Sequence, residues 1–234
     1  MKNLWFQSLK WDAFLIYKYG IVAVALAIAF LYSAIFLFLN TQGMEKMIAL
    51  LIFTDPVMYG FLFTAVMLLF EKDANTHQVL AITPLSSKKY LLSKVFVFTA
   101  LALVTSSFII LAAYPTNFHA IIFVLAVCLS SSLFIFIGII GVSFVQNFNQ
   151  FILIIPLVLA PVCFPFLDYF DWFHSWMLYV IPSQACLILF AGSVSSVSTW
   201  KLIYALLYLT LWNVLAYHWA LKSYQKRILK TDLK

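Results

Sequence analysis

Long apolar segments alternate with short polar ones along most of this chain. A helix needs about 20 apolar residues to cross a bilayer, and hydrocarbon accommodates only helices or closed barrels. Segments of about ten alternating residues, which are typical of barrel strands, are absent from the sequence. The pattern predicts an all-α, polytopic membrane fold. Its six spanning helices, numbered in chain order, are 19–39, 47–70, 90–113, 119–145, 151–167 and 200–221.

The segment 151–192 allows two interpretations. Its first half is apolar but contains Pro156, Pro161 and Pro165, which predict helix breaks. A polar and aromatic stretch and a short apolar piece, Met177–Ala191, follow. The segment is therefore either one span with a re-entrant hairpin, which gives six spans, or two spans, which gives seven.

Charge distinguishes six spans from seven. With six, 12 of the 14 Lys and Arg residues share the side of both termini, and Lys46 and Lys201 lie on the other. Positive residues are in excess on the cytoplasmic side. A seventh span would export the basic tail 222–234, and the 15 residues of Met177–Ala191 are short for a crossing. We therefore predict six spans, cytoplasmic termini and an outer re-entrant region over 168–199.

Composition excludes several classes of protein. The chain is 65% apolar and 9% charged, with a mean hydropathy of +1.03, whereas soluble domains are about half apolar and a quarter charged. A soluble enzyme is thereby excluded. The net charge of +6 lies mostly on the predicted cytoplasmic face, where it meets anionic headgroups. We expect a multi-pass protein of the cell (plasma or inner) membrane, with membrane lipids and not nucleic acid as partners.

Two polar segments flank the first spans. Residues 1–18 mix apolar and basic positions at roughly helical spacing, which predicts an amphipathic helix at the interface, although an ordinary basic flank fits equally well. Residues 71–89 form the largest predicted cytoplasmic loop. In it, Asp73 or Asn75 would cap a short helix that Pro84 stops. A solvated connector is the alternative for this loop.

This loop and its flanks resemble the signature of ABC-2-type transporter permeases. The matching residues read Phe-Glu-Lys at 70–72, Gln-Val-Leu-Ala-Ile-Thr-Pro-Leu-Ser at 78–86 and Tyr-Leu-Leu-Ser-Lys at 90–94. Upstream, Thr-Asp-Pro at 54–56 is similar to the fluoroquinolone-type export permeases. The architecture resembles this family throughout, and the motif match covers about residues 54–94.

The resemblance implies a role for the loop. In such permeases it is a coupling helix, here roughly Asp73–Ile82, that docks on a cytoplasmic ATPase. Glu71 is implied to face the N-terminal helix, with its partner, Lys10 or Lys18, left open. The implied ATPase-coupling residues are Glu71, Lys72, Asp73, His77, Gln78, Val79, Leu80 and Ile82.

The resemblance also implies partners. The sequence contains no phosphate-binding GxxxxGK[ST] motif, so we expect no enzyme and no cofactor in this chain. ATP and Mg would bind two copies of a separate ATPase subunit. A second permease, identical or homologous, would complete the dimer. The predicted function is export of an amphipathic or hydrophobic compound such as a drug, lipid or glycolipid.

Three acidic residues are candidates for an intramembrane or gate function. Asp55 precedes Pro56, so it either begins a helix or contacts substrate or protons inside the membrane. Asp168 and Asp171 lie on the predicted outer rim, as part of an extracellular gate or of a structural hairpin. The four histidines show no metal-ligand spacing.

Two other function classes stay open. A membrane-embedded lipid-modifying enzyme would use an interfacial polar cluster, for which Asp168, Asp171 and His174 are the nearest approach. A non-transporting anchor of a cytoplasmic complex would use the same docking loop.

Overall fold

A computed structural model describes residues 4–38, 43–74, 86–114 and 118–229, and the regular elements in these ranges are all helices. Six are long and apolar enough to cross a membrane, which confirms the predicted all-α fold of a multi-pass membrane protein. We keep the names spans 1 to 6 for these helices. Their bounds are Ile21–Phe38, Glu45–Asp73, Ser87–Ala113, Ala120–Ser143, Phe148–Tyr169 and Thr199–Lys226.

Helices outside the spans lie at both ends of the bundle. An N-terminal helix, Leu4–Lys18, packs at the end that contains the start of span 3 and the end of span 6. We call this end the terminal face. At the opposite face a 3₁₀ turn, Trp176–Val180, leads into a helix over Pro182–Val194. At 13 residues, this short helix falls below the length of a crossing.

The N-terminal helix buries one acidic side chain against the bundle and exposes several of its aromatic ones. Asp12, Leu15 and Ile16 face the bundle, whereas Trp5 and Trp11 are exposed. Exposed aromatic residues on a helix of this kind suit a membrane interface. The buried position of Asp12 matters for the site described below.

Span 2 lies at the centre of the bundle. The ring of Phe53 makes edge contacts, with centroid distances of 6.0–6.2 Å, with the rings of Phe134, Phe166 and Phe190. These residues belong to spans 4 and 5 and the short helix. The aromatic contacts therefore join span 2 to three other helices.

A π-helical segment, Met58–Phe63, interrupts span 2 where it crosses span 4. The two backbones are close because each helix has a glycine at the contact. A Cβ added to Gly60 would lie 2.8 Å from the Cβ of Phe134, and one added to Gly138 would lie 2.7 Å from the carbonyl oxygen of Phe61. Such π-segments frequently occur at functional sites.

We expect Gly138→Ala to lower the free energy of unfolding by about 1–3 kcal/mol, because the new methyl group overlaps backbone atoms that cannot rotate away. Gly141→Ala, on the same span, is the matched control. Its Cβ would meet atoms no closer than 3.5 Å, and alanine favours a helix over glycine by roughly 0.5–1 kcal/mol. Thermal unfolding in detergent measures both variants. Equal stability of the two would show that the close contact is unimportant.

Span 5 differs from its prediction in one respect. Its main helix, Phe148–Cys163, continues through Pro156 and Pro161 and ends just before Pro165. The predicted breaks at the first two prolines are therefore wrong. A helix in hydrocarbon tolerates proline because neighbouring groups and local adjustments of the backbone can satisfy the freed carbonyls. At the end of this helix, Ser183 donates a 2.9 Å hydrogen bond to the carbonyl of Val162.

Candidate functional site: a buried charge cluster

The ammonium group of Lys94 is the centre of a buried ionic cluster at the terminal face. Lys94 lies near the start of span 3 and has no exposed surface. Its Nζ donates to Asp12 Oδ1 at 3.0 Å and to Glu71 Oε1 at 2.7 Å. These carboxylates belong to the N-terminal helix and to the end of span 2, so a single cation joins three helices.

Hydroxyl groups satisfy the remaining carboxylate oxygens. Tyr90 donates to Glu71 Oε2, and Ser93 donates to Asp12 Oδ2. The ring of Tyr90 also lies 4.6 Å from the Lys94 Nζ, as in a cation–π contact. The sequence positions explain this arrangement, because residues 90, 93 and 94 lie within one helical turn and share a face.

The cluster extends to span 6 through an aromatic stack. The rings of Tyr90 and Tyr224 are stacked with their centroids 5.0 Å apart, and Tyr224 follows directly after the main helix of span 6. Tyr224 is almost fully buried, at 1% exposure. The N-terminal helix and the ends of three spans therefore meet around Lys94.

The energetics of such a cluster are asymmetric. Moving a charge out of water costs several kcal/mol, and attraction between buried charges repays this only when the partners are well placed. Removing one partner leaves an uncompensated buried charge. We therefore expect the cluster to fix the relative positions of its helices more than it adds to their stability.

The predicted coupling residues divide between this cluster and its surroundings. Glu71 is part of the cluster. Lys72 donates a 2.8 Å hydrogen bond to the carbonyl of Val145, just beyond span 4, and Asp73 is exposed at the end of span 2. The other predicted residues lie outside the described residues: His77, Gln78, Val79, Leu80 and Ile82.

The predicted gate residues come together at the opposite face. Asp168 lies 2.8 Å from Nδ1 of His174 and accepts a 2.5 Å hydrogen bond from Nε2 of Gln184. Asp171 forms an ion pair with Lys46, and the hydrogen bond from this lysine lowers the pKa of Asp171. These contacts connect the start of span 2, the end of span 5 and the short helix.

A comparison with protein families identifies the chain. The model of the fluoroquinolones export permease protein family matches residues 3–232. The chain belongs to this family. Curated relatives include the fluoroquinolones export permease proteins of two Mycobacterium tuberculosis strains, CDC 1551 and H37Rv, each 26% identical over 160 residues. The alignment spans 66% of this chain and 66% of each relative.

Asp55 of this family member lies inside a helix and does not begin one. The helix over Glu45–Val57 starts ten residues before Asp55, so the helix-start interpretation is wrong. The carboxylate is 3% exposed, and Ser106 of span 3 donates to its Oδ2 at 3.5 Å. An acidic side chain at this depth fits the alternative interpretation, an intramembrane contact, which stays a prediction.

Sequence reasoning missed the partner of Glu71 in this family member. The two proposed partners, Lys10 and Lys18, are both exposed, and Lys94 takes that role. The available signal was the pair Tyr90 and Lys94, one helical turn apart in an otherwise apolar span. A charged residue that such a span buries near its end needs a buried partner.

Burial changes the titration of Asp12. Desolvation raises its pKa above the ordinary 3.8, and repulsion from the Glu71 carboxylate raises it further. Together these effects outweigh the attraction of Lys94, which lowers the pKa. A raised pKa in the folded state favours the protonated form. Its stabilising contribution is therefore complete below pH 3.8 and is lost as the pH rises through the folded-state pKa.

We expect Asp12→Asn to remove this pH dependence. The difference in stability between the wild type and the variant should shift in favour of the variant as the pH rises above 3.8, because the variant never becomes charged. Unfolding measured in detergent from acidic to neutral pH tests this. A constant difference over the whole series would show that Asp12 titrates normally in the folded chain.

Proposed function

We propose that this chain is the membrane-spanning permease subunit of an ATP-driven ABC-2-type exporter. Two ATPase subunits bind ATP and Mg and dock on the segment after Glu71, and a second permease, identical or homologous, completes the dimer. The cargo is an amphipathic or hydrophobic compound such as a drug, lipid or glycolipid. Membership of an export permease family supports this proposal.

The proposed orientation places the terminal face in the cytoplasm of a cell whose plasma or inner membrane contains the protein. The support is the charge distribution. Lys10, Lys18, Lys72, Lys222 and Lys226 belong to helices that end or lie at this face, and Lys46 and Lys201 belong to the opposite one. Lysine and arginine are enriched on cytoplasmic segments.

The buried cluster around Lys94 is the observation that supports energy coupling most directly. Glu71 lies two residues before Asp73, where span 2 ends and the proposed docking segment begins. A displacement of that segment would move span 2 and, through the ion pairs of Lys94, span 3 and the N-terminal helix. The ion pairs permit one well-packed arrangement of these helices. When one helix is displaced, the others therefore move with it as a rigid body.

The opposite-face contacts support a gate in the same proposal. Asp168 and Asp171 hold the segment between span 5 and the short helix against the start of span 2. The Lys46–Asp171 pair is exposed on both sides, so breaking it costs little in water. Such contacts can open and close within each transport cycle.

Transport by reconstituted protein tests the proposal. The chain is co-expressed with an ABC-type ATPase from the same organism, purified and placed in proteoliposomes. We expect uptake of a hydrophobic fluorescent cation into inside-out vesicles that needs ATP and stops with vanadate. Copurification with an ATPase but no transport would favour the anchor, and turnover of vesicle lipid without ATP would favour the enzyme.

A further inference from the structure

An apolar cavity of about 590 Å³ lies between spans 4, 5 and 6 and the short helix. Its volume falls within the roughly 300–1,000 Å³ of small-molecule sites. The described lining residues are almost all aliphatic or aromatic. Ser183 provides the one hydroxyl group among them, and that group already donates to Val162. The cavity therefore suits a flexible apolar group without polar substituents.

Loose packing of span 5 leaves this space open. In its main helix only Phe151 is buried, and the cavity-facing Leu157 is 75% exposed. On the other side, Gly141 of span 4 and Ala216 of span 6 contribute little side-chain volume. Two small residues among larger aliphatic and aromatic side chains therefore face an incompletely packed helix across the cavity.

The cavity continues into a basic hollow at the terminal face. This hollow, of about 240 Å³, shares Phe144 and Trp219 with the cavity and is also lined by Lys222, Ser223 and Lys226. Both lysines are exposed, and no acidic residue of the described chain forms an ion pair with either. An apolar space thus leads directly to two available cations.

The dimensions fit one leaflet of a bilayer. Ten residues separate Trp212, deep in the cavity, from Lys222 in the hollow, which is roughly 15 Å along a helix. This distance equals half of the hydrocarbon core of about 30 Å. Trp219 lies between them, and tryptophan prefers the boundary between acyl chains and headgroups.

We propose that the cavity and the hollow together form a binding site for one anionic glycerophospholipid. An acyl chain lies between spans 4, 5 and 6, and the phosphate-containing headgroup contacts Lys222 and Lys226. The occupant comes from the leaflet at the terminal face. It is anionic because the hollow presents two cations, and among the described residues that line it there is no carboxylate to pair with a choline or ethanolamine group.

Photolabelling in nanodiscs tests this site. The full chain is placed in phosphatidylcholine nanodiscs with a trace of phosphatidylglycerol whose acyl chain has a diazirine group. A phosphatidylcholine with the same chain is the comparison probe. Mass spectrometry then maps the adducts. We expect the anionic probe to label peptides that contain 154–162 and 212–219 several-fold more than the comparison probe does.

Two variants and a matched control distinguish a specific lipid-binding site from general electrostatic attraction of anionic lipid to this face. Lys222→Gln with Lys226→Gln should reduce anionic labelling there several-fold, to the level of the comparison probe, because these lysines attract the anionic headgroup. Lys10→Gln with Lys18→Gln removes the same charge from the same face and should leave it unchanged. Ala216→Phe should reduce labelling by both probes, because the new ring fills the cavity. Excess inorganic phosphate should not compete, since it lacks the chain.

Three results would overturn the proposal. Equal labelling by both probes in the wild type would indicate ordinary contact with surrounding lipid. An equal loss with the control lysine pair would indicate enrichment by surface charge alone. Displacement of the probe by inorganic phosphate would assign the lysines to a phosphate site without a lipid chain.

Discussion

The Lys94→Met variant is expected to unfold about 3–5 kcal/mol more easily than the wild type, because it leaves the carboxylates of Asp12 and Glu71 buried without their cation. Cys186 supplies the measurement, since its thiol is buried and we expect it to react only after unfolding exposes it. A thiol-reactive dye follows unfolding in detergent after Cys128 and Cys163 are replaced by serine.

Lys201→Met is the matched control for this prediction. Lys201 is exposed at the opposite face, so the same substitution should change stability by no more than a typical surface residue does, within about 0.5 kcal/mol. If Lys94→Met unfolds like Lys201→Met, the cluster does not hold the three helices together.

A variant with a fully neutral cluster is expected to separate stability from coupling. Asp12→Asn, Glu71→Gln and Lys94→Met together remove every charge and leave similar volumes, and replacing all members of a buried ionic group is often neutral or stabilising. The combined variant should therefore recover most of the stability that Lys94→Met alone loses.

Transport by this combined variant should nevertheless fall by about tenfold or more, which corresponds to a typical coupling free energy. Neutral groups allow the helices to shift independently, so ATP hydrolysis should continue without export. The ratio of cargo moved to ATP hydrolysed measures the effect. Lys10→Met, at an exposed position of the N-terminal helix, is the control. An unchanged ratio would give the cluster a purely structural role.

The number of spans could be predicted because hydropathy along the chain locates helices in a bilayer and the distribution of charge distinguishes six spans from seven. The pairing of residues within the cluster could not be predicted, because it depends on the orientation of each helix about its own axis. Lys10 and Asp12 are two residues apart, so they lie on different faces of the N-terminal helix, and only the latter points inward. The Asp12–Lys94 contact joins residues 82 positions apart.

Asp55 shows a second limit of sequence reasoning. Asp-Pro is a good helix start by local preference, and this preference favoured the wrong interpretation. In the structure, span 2 begins at Glu45 and continues past Pro56. The apolar surroundings make a continuous helix the better solution, since unsatisfied backbone groups cost more in hydrocarbon than in water.

Crosslinking from Asp73 is the most direct test of the central claim, that the end of span 2 receives force from an ATPase subunit. A photoreactive amino acid replaces Asp73, which is exposed, and the same replacement at Lys201 serves as the control. The account predicts an adduct with the ATPase from position 73, none from position 201, and a yield that changes when vanadate traps the complex. Active transport with no ATPase adduct from position 73, or with an adduct from position 201, would contradict it.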